Sequence, residues 1–499
     1  PFTDPQVAER LGLGAAVVRH TLQRLEAQGR VLAGEFRPTG VGDEWCDAEV
    51  LRRLRRRSLA KLRHEIEPVD PVALARFAAA WQNVAPSGRG LRGIDGVLRA
   101  VEQLAGAPVP ASALEPLVLA ARVRDYEPAY LDELTATGEV VWAGHGALAG
   151  SDGWVSLHLA DQAPLTLPEQ SVPVDDPLQQ QVLDALAPGG AWFFRQLSDT
   201  IAARRLTDGH APATVGDADL SAALWALVWS GRVTNDTLAP LRALTRAGRP
   251  AHRSRPAAPR PGRVARSGPP ETAGRWALLP ALDADPTRRA HATAERLLDR
   301  HGVVTRGAVV SERVPGGFAA VYRVLAAFEE SGRCRRGYFV DGLGAAQFGT
   351  SGSVDRLRTF ASVAEHDKPV ALALAATDPA NPYGAALPWP TGDNADGDGE
   401  GGGHRPGRKA GAIVVLVDGV LVLYVERGGR TLLTWSDDAD LLGPAAEALS
   451  TAVRRGTLGR LTVEKADGAP LLGAGPSVLR AALDAAGFVA TPRGLRIRA

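Results

Sequence analysis

The 499-residue chain contains no methionine and starts at Pro1. A complete translation product does not begin this way, so the expectation is an internal or C-terminal segment of a longer polypeptide. Two cysteines, Cys46 and Cys334, are too few for a disulfide framework or, by themselves, for a zinc site. No apolar run approaches the roughly 20 residues that span a bilayer and no basic-then-apolar leader is present, so membrane and secretory readings fall away and a cytoplasmic location is expected. Lysine is scarce too: Lys61, Lys368, Lys409 and Lys465 are the only ones, and arginine carries nearly all the positive charge. Arginine is the better group for bidentate contact with phosphate or guanine. The formal net charge is only +1, so a nucleic-acid surface has to come from local basic patches.

What is present is an ordinary folded composition, 45% hydrophobic and 23% charged, over a length that calls for several domains. One local pattern recurs: an apolar residue, another three on, Gly four later, then a polar residue and a strand. It is found at Leu22, Leu25, Gly29; at Leu131, Leu134, Gly138; at Leu224, Leu227, Gly231; and at Leu325, Phe328, Gly332. The period is near 100 residues, a module rather than a solenoid repeat of ~20–50. Apolar residues at i and i+3 share one helix face, and the Gly is placed to end the helix in a left-handed conformation. A helix stopped by Gly and followed at once by a strand is how a winged-helix recognition helix hands over to its wing.

In the first copy, Thr3 or Asp4 caps a helix, "LGLG" (11–14) turns the corner, and a second helix faces Val18, Leu22 and Leu25 inward. Arg19, His20 and Arg24 then point out as a recognition surface, joined by Arg30 and by Arg37 in the wing. A basic amphipathic helix follows, with Arg52, Arg53 and Arg56 among the arginines around Leu51, Leu54, Leu59 and Leu62; it reads as a nucleic-acid strip. Arg232 opens the third wing. In the fourth, Arg333, Arg335, Arg336 and Tyr338 mix charge and aromatic character on a strand, suited to backbone contact and base stacking.

The resulting order is an α+β chain of tandem winged helices followed by a small β-barrel. Residues 1–48 form the first winged helix, 49–90 a basic helical connector, 91–176 the second winged helix and 177–245 the third. Residues 246–280 form a disordered Arg/Pro linker, and 281–362 the fourth winged helix. The barrel takes 363–440, with a flexible loop at 392–410, and 441–499 is a C-terminal α/β segment or degenerate winged helix.

"GEFRPTGVGDEWCDAEVLRRLRRRSLAKLRHEIEPVD" (34–70) and "GYFVDGLGAAQF" (337–348) resemble the C-terminal region of the bacterial Lhr (large helicase-related) proteins. The resemblance implies a segment attached to a superfamily 2 DNA helicase motor, acting in DNA repair near the nucleoid, with DNA as partner and assembly into homo-oligomers. It also implies kinship in fold with AlkZ-like DNA glycosylases. The chain has no G-x-x-x-x-G-K-[ST] and no D-E-x-H box, so ATP and Mg²⁺ are expected in the parent's motor, and no cofactor or metal here. Two functions follow: a module that binds and positions DNA, or, alternatively, a base-excision module. The second needs a carboxylate or amide beside a basic, aromatic groove; Asp341 and Gln347, next to Tyr338 and Phe339, are the candidates. The glutamine-hydrophobic-glutamine motif of the AlkZ-like glycosylases is not found.

Overall fold

The computed structural model describes residues 1–37, 43–64, 67–84, 90–170, 173–207, 215–247, 268–344, 346–362, 369–391, 405–472 and 477–497, with the side chains of 55, 58–64 and 247 left aside. The side chains expected to extend the basic helix's apolar stripe (Leu59, Leu62), most of the expected Arg/Pro linker (248–267) and most of the expected loop (392–404) lie outside the described residues. Among the described residues no helix is long and apolar enough to cross a membrane.

Local sequence sets the helix starts. Asp-Pro opens Pro71–Trp81, Pro177–Leu186 and Pro286–His301: the Asp carboxylate accepts the N–H of Val72, Gln179 or Thr287 at 2.7, 2.8 and 2.8 Å, while the proline ring presets φ and needs no donor partner. Such a cap contributes about 1 kcal/mol. The repeat glycines set the helix ends. Gly29, Gly138, Gly231 and Gly332 have φ of 67, 80, 69 and 78°, a region that costs any residue with a Cβ. In each copy the next N–H reaches back to the second apolar residue of the pattern. Arg30 donates to the Leu25 carbonyl at 2.9 Å, Glu139 to Leu134 at 3.0, Arg232 to Leu227 at 3.0 and Arg333 to Phe328 at 2.8. This is the Schellman stop. A fifth copy closes the chain: Gly487 has φ 93°, and Phe488 N–H donates to the Leu483 carbonyl at 3.0 Å.

The sheets repeat as well. In the second winged helix, Val109–Pro110, Asp152–Leu159 and Val140–Leu148 pair in that order; in the third, Trp192–Phe193, Arg275–Leu278 and Val233–Asn235. The fourth has Val303–Val304, Gln347–Gly349 and Arg335–Gly337, and the C-terminal unit Leu461–Val463, Gly494–Ile497 and Val489–Thr491. In every case the last strand in sequence sits in the middle, so the C-terminal segment shares the strand order of the other three. The first copy keeps the wing Val31–Gly34 with Glu44–Asp47, and a lone bridge from Phe2 to Trp45 stands where the third strand would be.

Two expectations change. Arg275–Leu278, expected in a linker, is the central strand of the third sheet, so residues 248–267 are inserted between the two strands of one wing and do not join two modules. The expected β-barrel is an open sheet. Ala371–Ala375, Ile413–Val417, Val420–Val425 and Thr431–Thr434 form an antiparallel meander, and Lys465–Ala466 and Ala469–Pro470 extend it past Thr431–Thr434. Among the described residues no strand pairs the two edges. Closure would require tilt and stagger sustained round the full circle; here the helix Ala439–Arg454 covers one face of the sheet with Leu442, Ala446 and Leu449.

Packing fuses neighbours. Trp142 of the second winged helix donates its indole N–H to Asn235 of the third at 2.9 Å, and lies 6.5 Å from Trp225, which in turn packs edge-on to Trp276 at 5.8 Å. One apolar core runs through both modules. The helix Pro71–Trp81 packs with Phe339, Val340, Val354 and the meander in another, and Val69 bridges Val340.

Candidate nucleic-acid interface

The second and fourth winged helices and the loop 377–386 enclose a cleft of about 910 Å³, within the ~300–1,000 Å³ range of ligand pockets. Its arginines are Arg289, Arg296, Arg300, Arg313 and Arg408, against the carboxylates of Glu169 and Glu312. A cleft with low-dielectric walls and an excess of one charge concentrates the opposite charge, here an anion.

The arginines divide into floor and mouth. Arg300 is 3% exposed, donates to the Ala105 and Gln103 carbonyls at 2.5 and 3.3 Å, and pairs with Glu312. His301 holds the other Glu312 oxygen at 2.6 Å. Burial alone would raise the Glu312 pKa, but the charges of Arg300 and His301 outweigh it and hold it at about 2. Arg408 donates to the carbonyls of Asn381, Thr377 and Asp378 at 2.7, 3.0 and 3.0 Å, and burial lowers its pKa to about 10. These two shape the floor. At the mouth, Arg313 lies over the Trp154 ring at 5.2 Å and Arg289 holds Glu169 at 3.1 Å. Arg296 donates to the Gln162 side chain at 2.5 Å; burial and then Arg300 lower its pKa to about 10, so it remains a cation at neutral pH.

A depressed folded pKa makes the contribution of Glu312 present above its usual value of 4.5 and lost as pH falls toward 2. Glu312→Gln is therefore expected to lose stability on the order of 3 kcal/mol at neutral pH and to remove that part of the acid-induced loss. Urea unfolding of both proteins at several pH values checks this; parallel curves would refute it.

Beside the cleft runs a polar chain on one wing. His145 Nε2 bonds Ser156 Oγ, Ser156 Oγ bonds His158 Nε2 at 2.6 Å, and His158 Nδ1 bonds Thr166 Oγ1 at 2.8 Å. A register shift between Gly144 and Ala147 marks a bulge, a device that re-aims a side chain, and His145 on it lines the cleft. Burial lowers the His145 pKa to about 4 and drives His158 well below its usual value, His145 and the nearby Arg296 and Arg300 adding to the second effect. Both rings are neutral at physiological pH.

The residues expected from the sequence lie elsewhere. His20, Arg24, Arg30 and Arg56 are exposed. Arg19 is spent on Asp4 at 2.8 Å, and Arg37 on the buried Glu44 at 2.5 Å. Arg52 and Arg53 both reach Glu49, at 3.1 and 3.5 Å, in exposed pairs that contribute little. Arg232 is half-buried against Gln170 at 3.0 Å. Arg333 stacks 4.4 Å over Phe328 and bonds His291 and Glu295; Arg336 is held by Tyr322 and Glu329, whereas Arg335 and Tyr338 are exposed. Asp341 and Gln347 do not line the cleft. Gln347 is 1% exposed, accepts the Phe339 and Val340 N–H groups at 3.0 and 2.9 Å, and returns a bond to the Val340 carbonyl at 2.8 Å. Asp341 sits on an exposed turn, bonded to Gly342 N–H. The geometry gives both a loop-shaping role. The sequence reading singles out none of the cleft arginines at 289, 296 and 313, nor His145. One local signal for the polar chain exists: Ser156-x-His158, alternate residues sharing a strand face, with His145 on the preceding strand.

Residues 69–160 and 283–369 match family models described as large helicase-related protein, winged-helix domain. These are the two winged helices that enclose the cleft. The Lhr helicase/probable uracil glycosylase of Mycolicibacterium smegmatis is 50% identical over 514 residues, which cover 100% of this chain and 33% of that protein. The Lhr helicase/uracil glycosylase of Escherichia coli is 40% identical over 531 residues, covering 99% of this chain and 32% of that protein. The chain thus spans about a third of the length of the curated relatives it matches. Among solved structures, the Streptomyces sahachiroi DNA glycosylase AlkZ aligns at a TM-score of 0.45 and 12% identity, over 78% of this chain and 97% of that one. Residues 69–160 and 283–369 of the chain thus carry winged-helix domains of the large helicase-related family.

Proposed function

We propose that the chain holds DNA for the helicase motor of the same polypeptide, with a strand seated in the cleft between the second and fourth winged helices. The observation that carries this is the cleft itself: cationic arginines at its mouth, backed by a floor in which Arg300 and Arg408 are hydrogen-bonded to main-chain carbonyls. The exposed set His20, Arg24, Arg30 and Arg56 supplies a second, more open surface on the first module and the basic helix. ATP and Mg²⁺ act in the motor under this reading, and homo-oligomers and a place near the nucleoid belong to it as well.

Three phosphate contacts, at Arg289, Arg296 and Arg313, would give log Kd against log salt a slope near 2 to 3, at ~0.7–0.9 per contact. Arg289→Ala with Arg313→Ala is expected to take about 1.4 from that slope and to weaken single-strand binding at low salt by about a hundredfold. Fluorescence anisotropy across a salt series tests it; an unchanged slope in the double variant would sink the cleft as the DNA site.

Base excision is the second reading. It is carried by the relatives' names, uracil glycosylase and probable uracil glycosylase, and by a cleft large enough for an extruded base. Incubation with uracil-containing DNA, followed by alkali, decides it: scission above the background of the unmodified strand supports excision, and none counts against it.

A further inference from the structure

The polar chain beside the cleft has a direction, because each hydroxyl has one proton to give. Thr166 Oγ1 donates to the Gln162 carbonyl at 3.1 Å, so it can only accept from His158, whose Nδ1 lies 2.8 Å away and must carry the ring proton. A neutral His158 then has a bare Nε2, which takes the Ser156 hydroxyl proton over 2.6 Å. With its proton spent, Ser156 Oγ accepts from His145, so the His145 proton sits on Nε2 and Nδ1 is left with a lone pair. The chain ends on a main-chain carbonyl that takes up no proton, so it is an anchor and not a proton wire. Burial keeps both rings neutral, and no hydrogen bond to His145 Nδ1 is found among the described residues.

We propose that His145 is a specificity-determining acceptor, taking a hydrogen bond through Nδ1 from the ring N–H of one unpaired nucleobase lodged in the cleft. This rests on the nucleic-acid reading above. The same cavity is lined by Trp154 and Trp229, which offer faces for the base, and by Arg289, Arg296 and Arg313, which suit its flanking phosphates. An acceptor set by a buried hydrogen-bond chain distinguishes bases by their donors: a base with its ring N–H methylated loses the bond and leaves a polar group unpaired.

The probes are two single strands differing at one central base, thymine or N3-methylthymine. The unmodified chain is expected to prefer thymine by about fivefold to tenfold. In His145→Ala the ratio falls to one. His145→Asn, which places an amide oxygen near the former Nδ1, restores part of the preference. Thr166→Val removes the anchor and weakens the preference without touching the cleft arginines. Nitrogen NMR of histidine-labelled protein, assigned through the signal lost in His145→Ala, is expected to place the His145 proton on Nε2. An equal thymine preference in His145→Ala, or a proton on Nδ1, overturns the proposal. A chain that binds neither strand sinks the nucleic-acid reading and this assignment with it, a result distinct from binding without discrimination.

Discussion

Replacing Asp378 with alanine is expected to lower stability by about 3–5 kcal/mol, read as a fall in the urea midpoint. Arg122 and Asp378 are both 0% exposed at the side chain and face each other through two parallel bonds of 2.9 and 2.7 Å. Arg122 also donates to the Val118 carbonyl at 2.8 Å and to Gln82 at 2.7 Å, and Gln82 reaches the Arg300 carbonyl at 2.7 Å. The pair therefore ties the second winged helix to the loop that forms one wall of the cleft. Desolvating two charges costs several kcal/mol per ion, and mutual attraction offsets that only while both are present. Removing the carboxylate leaves a guanidinium buried with no counter-charge. The double replacement Arg122→Met, Asp378→Leu removes both desolvation costs, and it should recover most of the loss. If the double variant is as unstable as Asp378→Ala, the pair's effect is not electrostatic.

Gly144→Ala should cost about 3 kcal/mol, the upper end of the range for overpacking. An added Cβ would lie 2.2 Å from the Val228 carbonyl oxygen, 2.8 Å from its carbon and 2.9 Å from the Trp229 Cα. All three are backbone atoms of a helix, so no rotamer change relieves the clash, and the second wing must lift from the third module. The bulge that carries His145 lifts with it, so the thymine preference should fall along with the thermal midpoint. Gly352→Ala is the contrast: its added Cβ meets nothing within 4 Å, and alanine there is expected to be neutral or to stabilise by up to ~1 kcal/mol. Equal midpoints for the two variants would contradict this account.

Four of the five helix stops were legible because a Schellman turn is decided within six residues, and Leu25, Leu134, Leu227 and Phe328 all lie inside that window. The central strand Arg275–Leu278 was not, since its partner Val233–Asn235 lies across a long insertion and its own four residues carry no alternation strong enough to name a sheet. The meander's strands could be read from their apolar runs, but open against closed depends on what meets the edges, which no run of Val and Leu encodes. For the site, arginines on exposed faces were easy to nominate and hard to weigh. Arg19, Arg37 and Arg336 are neutralised by Asp4, Glu44 and Glu329, and Arg37's partner lies seven residues away while Arg19's lies fifteen. The cleft is assembled from modules more than 100 residues apart in the chain, so no local pattern could have announced it.

The tryptophans shared between the second and third winged helices make architectural units and cooperative units different things. Trp142 cannot stay buried if Trp225 and Trp276 are released, so neither module can open without exposing the other's interior. Local opening follows such contiguous cores rather than the count of repeats. The first winged helix, in which Val18, Leu22, Val31 and Trp45 form a small cluster apart from the other cores, can open by itself. Calorimetry on this chain should therefore resolve fewer transitions than there are wings, and hydrogen exchange should protect the second and third modules to the same depth.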